Sequence, residues 1–163
     1  MSLNVLTMID GIKSYLAENN TTTSSNDISS GLQNRVVSII KGYGDMSMEY
    51  PLMENEYPAI FIELVRDEEK LITLGKSSMR DIDFKVNIVP ITDYGMGIGR
   101  ERSIQENMIL CTNVKNLLRL NHGRMSDVAD WSVLEETRYG LKYSNDTWNV
   151  VSSIGMKVHK RSN

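Results

Sequence analysis

The chain has 163 residues, of which 40% are apolar and 24% charged, and its formal net charge is -3. That length suits one domain around one core, and the composition is that of a folding globular chain rather than a disordered one. The slight acidity excludes bulk attraction to nucleic acid while leaving a local basic lining open, and the lone Cys111 excludes an intrachain disulfide framework or a cysteine-based zinc site and fits a reducing compartment.

In chain order, Leu3 to Asn19 predicts a first amphipathic helix. Leu3, Leu6, Ile9, Ile12 (or Lys13) and Leu16 recur near helical spacing, widened by Val5, Met8 and Tyr15. Gly11 within it costs about 1 kcal/mol relative to Ala and does not end it. The polar run NNTTTSSNDISSG from Asn19 to Gly31 cannot cover a core, so residues 19–34 are expected to form a mobile loop. RVVSIIKGY, Arg35 to Tyr43, is β-branched and short, which predicts a strand. After it, GDMSMEYPLMENEYP is punctuated by Gly44, Pro51 and Pro58 and reads as a loop able to pack through Met46, Met48 and Met53. A strand follows from Ala59 to about Arg66, then another in which Ile82, Phe84, Val86 and Ile88 alternate with Asp81, Asp83, Lys85 and Asn87. Such alternation implies one buried face, one wet face and antiparallel pairing.

Two glycine-rich stretches invite a cofactor. A P-loop sets Gly, four residues, then Gly-Lys-Ser between a buried strand and a helix. In LGKSSMRD the ending Gly75-Lys76-Ser77 is present, but the first glycine's position is Lys70 and the chain continues as a strand. The segment therefore reads as a solvated hairpin tip. In YGMGIGRE, Gly95 and Gly97 match the first glycines of a dinucleotide loop, yet the third position is Arg100 and no βαβ unit surrounds it. That stretch reads as a flexible strand-to-helix turn whose glycines admit a neighbouring subunit's backbone. No cofactor is expected.

Arg100 to about Leu120 predicts a long helix with Ile104, Met108, Cys111 and Leu118 along one stripe and Leu110, Val114 and Leu117 broadening it. Ser103 caps it or lies in its first turn, and Cys111 and Met108 are expected in the core. Gly123 falls near the C′ position, with His122 as a helix-end residue. Two closing strands, DWSVLEETRYGLKY and TWNVVSSIGMKVHKR, flank a turn at Ser144 to Asp146. In the second, Trp148, Val150, Ser152, Ile154, Met156 and Val158 share a face, while Lys157, His159 and Arg161 project oppositely. His159 has no clustered ligand partner in sequence and reads as a surface residue, and the tail HKRSN is expected to fray.

One enzymatic constellation is weighed. Asp83 and Lys85 match the Asp-x-Lys part of a metal-dependent nuclease site, and Glu63 on the neighbouring strand could add a carboxylate. The same residues are also the solvated half of an alternating strand, where cross-strand ion pairs are common. No catalytic or metal site is assigned.

The order of elements carries a resemblance. A helix, a long loop, a strand, YPAIFIELVRDEEKL with its charged hairpin, the strand RDIDFKVNIVPITD, a long helix and a closing hairpin resemble the tail terminator, or tail completion, proteins of tailed bacteriophages. The resemblance covers Leu3 to Arg161. It implies an α+β domain, mainly an antiparallel sheet packed against the N-terminal and long central helices, with a protruding hairpin. It further implies a virion protein without chemistry, assembled in the host cytoplasm, whose ring, usually of six, caps the tail tube and meets the neck or head-completion protein. DNA would pass the lumen without sequence-specific binding, and no membrane is involved. Glu68, Glu69, Lys70, Lys76 and Arg80 are the expected contacts with the tube or next subunit, and Gly95, Gly97, Gly99 and Arg100 form a second contact. The alternative is another head-tail joining protein, which a basic DNA-facing lumen would favour.

Overall fold

The computed structural model describes residues 5–20, 36–43, 57–73, 79–93, 100–144 and 147–162. Helix α1 spans Val5–Glu18, β1 Ser38–Tyr43, β2 Ala59–Leu71, β3 Arg80–Asp93, α2 Arg100–Arg119, β4 Trp131–Ser144 and β5 Thr147–Ser162, with a 3-10 turn at Leu120–Gly123 after α2. The strands form one five-stranded sheet in the order β1-β2-β3-β5-β4. Every pairing is antiparallel except β1 with β2, which is parallel. The chain is an α+β fold with an N-terminal and a central helix.

Both helices lie on one face of this sheet. Met8, Ile12 and Leu16 of α1 and Leu110, Val114 and Leu117 of α2 pack with Ile60, Ile62, Phe84, Val86, Ile154 and Met156 in one core. Tyr15 Oη donates to Leu117 O at 2.7 Å and ties the two helices inside it. Cys111 is buried there, as expected. Gly11 has its own reason: a Cβ there would lie 2.9 Å from both methyls of Val128, so the chain after α2 approaches α1 closely. The expected stripe of α1 is nonetheless too long. Leu6 is 57% exposed, because it lies over β1, the last strand on that side among the described residues.

Helix α2 departs from its expected stripe in a similar way. Its sheet-facing positions near the start are Ser103 and Asn107, both buried, and Met108 is 54% exposed rather than core. The polar residues have work there. Pro90 sits in the central strand without an N–H to give, and the β3–β5 ladder passes from Ile88↔Ile154 to Ile91↔Val151. Asn107 Nδ2 fills the gap by donating to Pro90 O at 3.1 Å and Val150 O at 3.0 Å. Ser152 Oγ in turn donates to Asn107 Oδ1.

Strand β3 is only half wet. Asn87, Val89 and Ile91 are buried, contrary to strict alternation, because Ala59, Phe61, Val89 and Ile91 build a second apolar cluster on the face away from the helices. Two register shifts end that cluster's half of the sheet. One lies between Leu64 and Arg66 on β2, the other between Leu134 and Thr137 on β4. Leu64 pairs with Val86, Val86 with Met156 and Met156 with Leu134, so both bulges fall at one level across the sheet. Gly155 lies beside the β4 bulge, where a Cβ would sit 3.2 Å from Glu136 O.

Strand β2 runs past its expected end, near Arg66, to Leu71, and three further boundaries differ from the sequence expectation. Strand β1 starts at Ser38, after Val37 N has bonded Pro58 O at 2.8 Å, and the 19–34 loop falls, beyond Asn20, outside the described residues. The left-handed excursion after α2 begins at Asn121 (φ 51) and His122 (φ 58), before Gly123 (φ 72). Gly123 is still needed, since a Cβ there would overlap Ser132, whose Oγ donates to Gly123 O at 2.7 Å. The tail does not fray at His159: β5 runs to Ser162, paired with Arg80.

Candidate functional site

The hairpin of β2 and β3 carries the first predicted contact. Its ends are held by Ile72 N bonding Met79 O at 2.9 Å, and a strand follows the Gly75-Lys76-Ser77 segment where a P-loop would open a helix. Strand β1 stops opposite Leu64, so among the described residues β2 beyond it has an unpaired edge, and residues Arg66 to Leu71 are exposed. The bulge also turns the side chains over. Arg66, Glu68 and Lys70 face outward opposite Lys85, Asp83 and Asp81, while Asp67 and Glu69 take the helix side opposite Phe84 and Ile82.

The structure therefore separates the predicted residues. Glu69 and Arg80 pair with each other at 2.9 Å, which neutralises both within the hairpin. Glu68 has Arg66 only at 3.9 Å, and Lys70 lies opposite Asp81. Lys76 lies outside the described residues, as do Gly95, Gly97 and Gly99, which fall between the end of β3 at Asp93 and Arg100, the first residue of α2.

Next to the outward hairpin charges lies a cluster that sequence spacing hides. His159 is no isolated surface residue. Its ring stacks on Trp131 with centroids 4.8 Å apart and planes 9° from parallel. Nδ1 donates to Asp83 Oδ1 at 2.7 Å, a carboxylate being only an acceptor, and Nε2 lies 3.5 Å from Asp81 Oδ1. Arg161 grips Asp81 through Nε at 2.9 Å and Nη2 at 3.4 Å. Lys157 reaches Asp83 at 3.4 Å, and Asp130 accepts the Arg161 backbone N–H at 2.7 Å beside Lys160.

These contacts move the acids together. The Arg161 hydrogen bond holds the Asp81 carboxyl below its ordinary value, and the same pair raises the Arg161 guanidinium. Burial pushes Asp83 and Asp130 up, but hydrogen bonds and positive charge from His159 and Lys157 on Asp83, and from Arg161 and Lys160 on Asp130, outweigh it and leave both lowered. The candidate nuclease set is not brought together. Lys85 pairs with Glu135 at 3.1 Å, and Glu63 lies buried opposite Asn87, four strand residues or about 13 Å from Asp83. Among the described residues no group of three His, Cys, Asp or Glu is placed to hold a metal ion.

The other edge of the sheet is β4, fourteen residues with no strand on its outer side among the described residues. Unlike the β2 edge, it mixes apolar with charged side chains, Glu135, Glu136 and Arg138 being exposed around its bulge. Trp131 and Val133 are exposed on the outward face, and Tyr139 (60%) and Leu141 (46%) on the helix side. With Ile104, Met108 and Val150 the latter two line a groove of about 200 Å³ between α2 and β4. Lys115 Nζ donates to Tyr139 Oη at 3.2 Å and borders the same surface. Sequence reading missed this groove and the His159 cluster alike. Alternation assigns a face but not the cross-strand partner, and an edge strand becomes visible only with the sheet order. No helix among the described residues is long and apolar enough to cross a membrane.

The chain matches no protein-family model and no curated protein.

Proposed function

We propose that this chain is a structural subunit of a tailed-phage virion, forming a ring, of six copies, that caps the tail tube and joins it to the neck. One observation carries the reading: among the described residues the sheet ends in a fourteen-residue strand, β4, whose open edge bears exposed aromatic and aliphatic side chains. An unpaired apolar edge invites pairing with another chain, and proteins that stay monomeric blunt such edges with charge. The β2 edge beyond Leu64 is blunted in that way, by Arg66, Asp67, Glu68, Glu69 and Lys70, whereas on β4 the charges Glu135, Glu136 and Arg138 gather at the bulge and leave Trp131, Val133, Tyr139 and Leu141 exposed to either side. The two edges thus divide the labour. The apolar edge seals subunits, and the charged hairpin meets the tube, with Glu68 and Lys70 outward and Glu69 and Arg80 occupied by their own ion pair.

The test combines mass and capping. Light scattering over a concentration series, alone and with tail tubes polymerised from the tube protein, is expected to give a hexamer, and electron microscopy to show capped tube ends. Glu68→Lys with Lys70→Glu is expected to weaken capping without unfolding the chain. A protein that neither oligomerises nor binds tube ends refutes the reading.

A further inference from the structure

We infer that the turn after α2 is a binding site for a phosphate group, held by Arg119 and Arg124 with His122 and Ser126 beside them. The site is independent of the ring reading.

Arg119, Asn121, His122, Arg124, Ser126 and Asp127 line a hollow of about 650 Å³ at the end of α2, and all six are exposed. Its unpaired positive charge sets it apart. Elsewhere the chain pairs most of its cations: Lys41 with Asp10, Arg80 with Glu69, Lys85 with Glu135, Lys157 with Asp83, Lys160 with Asp130 and Arg161 with Asp81. Among the described residues Arg119, His122 and Arg124 have no carboxylate at ion-pair distance, and Asp127, the one acid in the lining, pairs with none of them.

The fold holds this turn in place. Met125 is buried in the main core, Gly123 O accepts the Ser132 hydroxyl at 2.7 Å, Ala129 N bonds Arg124 O at 3.0 Å, and Lys160 Nζ donates to Asp127 O at 3.2 Å. These ties fix a backbone that turns left-handed twice, at Asn121 to Gly123 and at Met125 to Asp127, with right-handed Arg124 between. Such a change of hand turns successive N–H groups toward one side and favours an anion there. Arg119 and Arg124 flank the first left-handed turn, one on each arm. A carboxylate offers its oxygens in one plane and suits a single guanidinium fork. A phosphate offers them tetrahedrally and takes two forks from different directions, with an oxygen left for the Ser126 hydroxyl. Asp127 weakens the hold on any anion without cancelling it, since two guanidinium charges outnumber one carboxylate. Because every lining residue is exposed, the hollow admits a phosphate that belongs to a larger molecule as well as a free one.

Two probes test the site on the full chain at low salt: inorganic phosphate, by calorimetric titration, and a fluorescein-labelled DNA duplex, by anisotropy. Arg119→Gln with Arg124→Gln is expected to weaken binding about 10-fold or more, the scale of losing one hydrogen bond to a charged group. Asp127→Asn is expected to strengthen it about threefold, the scale of one exposed charge pair. Arg102→Gln, which changes an exposed arginine near the start of α2, is expected to leave it unchanged. Circular dichroism with a melting curve checks that each variant folds. Phosphate binding without duplex binding marks a free phosphate as the occupant, and duplex binding that phosphate displaces marks a nucleic-acid backbone; either supports the site when the double variant weakens it. Neither probe binding at millimolar phosphate overturns the site, as does binding that the double variant leaves intact or that Arg102→Gln weakens equally. An Asp127→Asn chain that binds no tighter puts the anion elsewhere and overturns the assignment too.

Discussion

Replacing Asn107 with Leu removes the side chain that closes the gap beside Pro90. Three buried polar groups lose a hydrogen bond at once: Pro90 O, Val150 O and the hydroxyl of Ser152. Each such bond contributes about 0.5–1.5 kcal/mol net. At about 1 kcal/mol each the three together cost about 3 kcal/mol, and for a chain of this size each kcal/mol lowers Tm by about 2–4 °C, so the expected drop is about 6–12 °C. Ser152→Ala supplies the scale. It leaves both amide donors in place and orphans only Asn107 Oδ1, so about 1 kcal/mol and about 2–4 °C are expected. Calorimetry of the two variants and the parent decides. If Asn107→Leu melts no lower than Ser152→Ala, the amide does not substitute for the proline's missing donor.

Two further outcomes concern titration. Asp81, Asp83 and Asp130 are held below the ordinary carboxylate range, so their contribution is present above the unfolded value near about 4 and is lost as pH falls through the folded values. Tm should hold from about pH 7 to about 5 and decline below about 4, with Asp83→Asn lowering it at neutrality and flattening the acid limb; unchanged slopes would exclude the cluster as the cause. Burial raises the Tyr15 phenol, so its contribution is present below about pH 10 and is lost as pH rises through the folded value. Tyr15→Phe is expected to cost about 1 kcal/mol at neutral pH, and the parent should lose that advantage in alkali; a constant gap between the two melting curves up to alkaline pH would contradict this.

Much of the architecture was legible because it depends on local periodicity. The 3.6-residue stripe of α2 and the alternation of β3 and β5 name elements whose existence and type hold in the structure. What stayed hidden depends on single residues that change phase. Val65 and the Glu135-Glu136 pair add one residue to β2 and β4, and past Val65 the outward side chains of β2 become Arg66, Glu68 and Lys70. His159 reads as alone because Asp81, Asp83 and Trp131 are distant in sequence and meet it only through strand pairing. Asn107 and Ser103 show why a stripe misplaces Met108: hydrophobicity alone does not reveal that a proline in the facing strand draws polar residues to the sheet. The candidate contacts were legible as charges, but not as the ion pair that removes Glu69 and Arg80 from use.

The two bulges at one level give the sheet a crease. Strands β3 and β5 cross it without a register shift, while β2 and β4 on either side each take one extra residue there. Extra twist is thereby concentrated along a single line. On one side of it the outward face is apolar, around Phe61, Val89 and Ile91; on the other it is ionic, around Asp81, Asp83, His159 and Arg161. Added salt screens exposed charge but not apolar contact, so ionic strength loosens one leaf of the sheet and leaves its companion stiff.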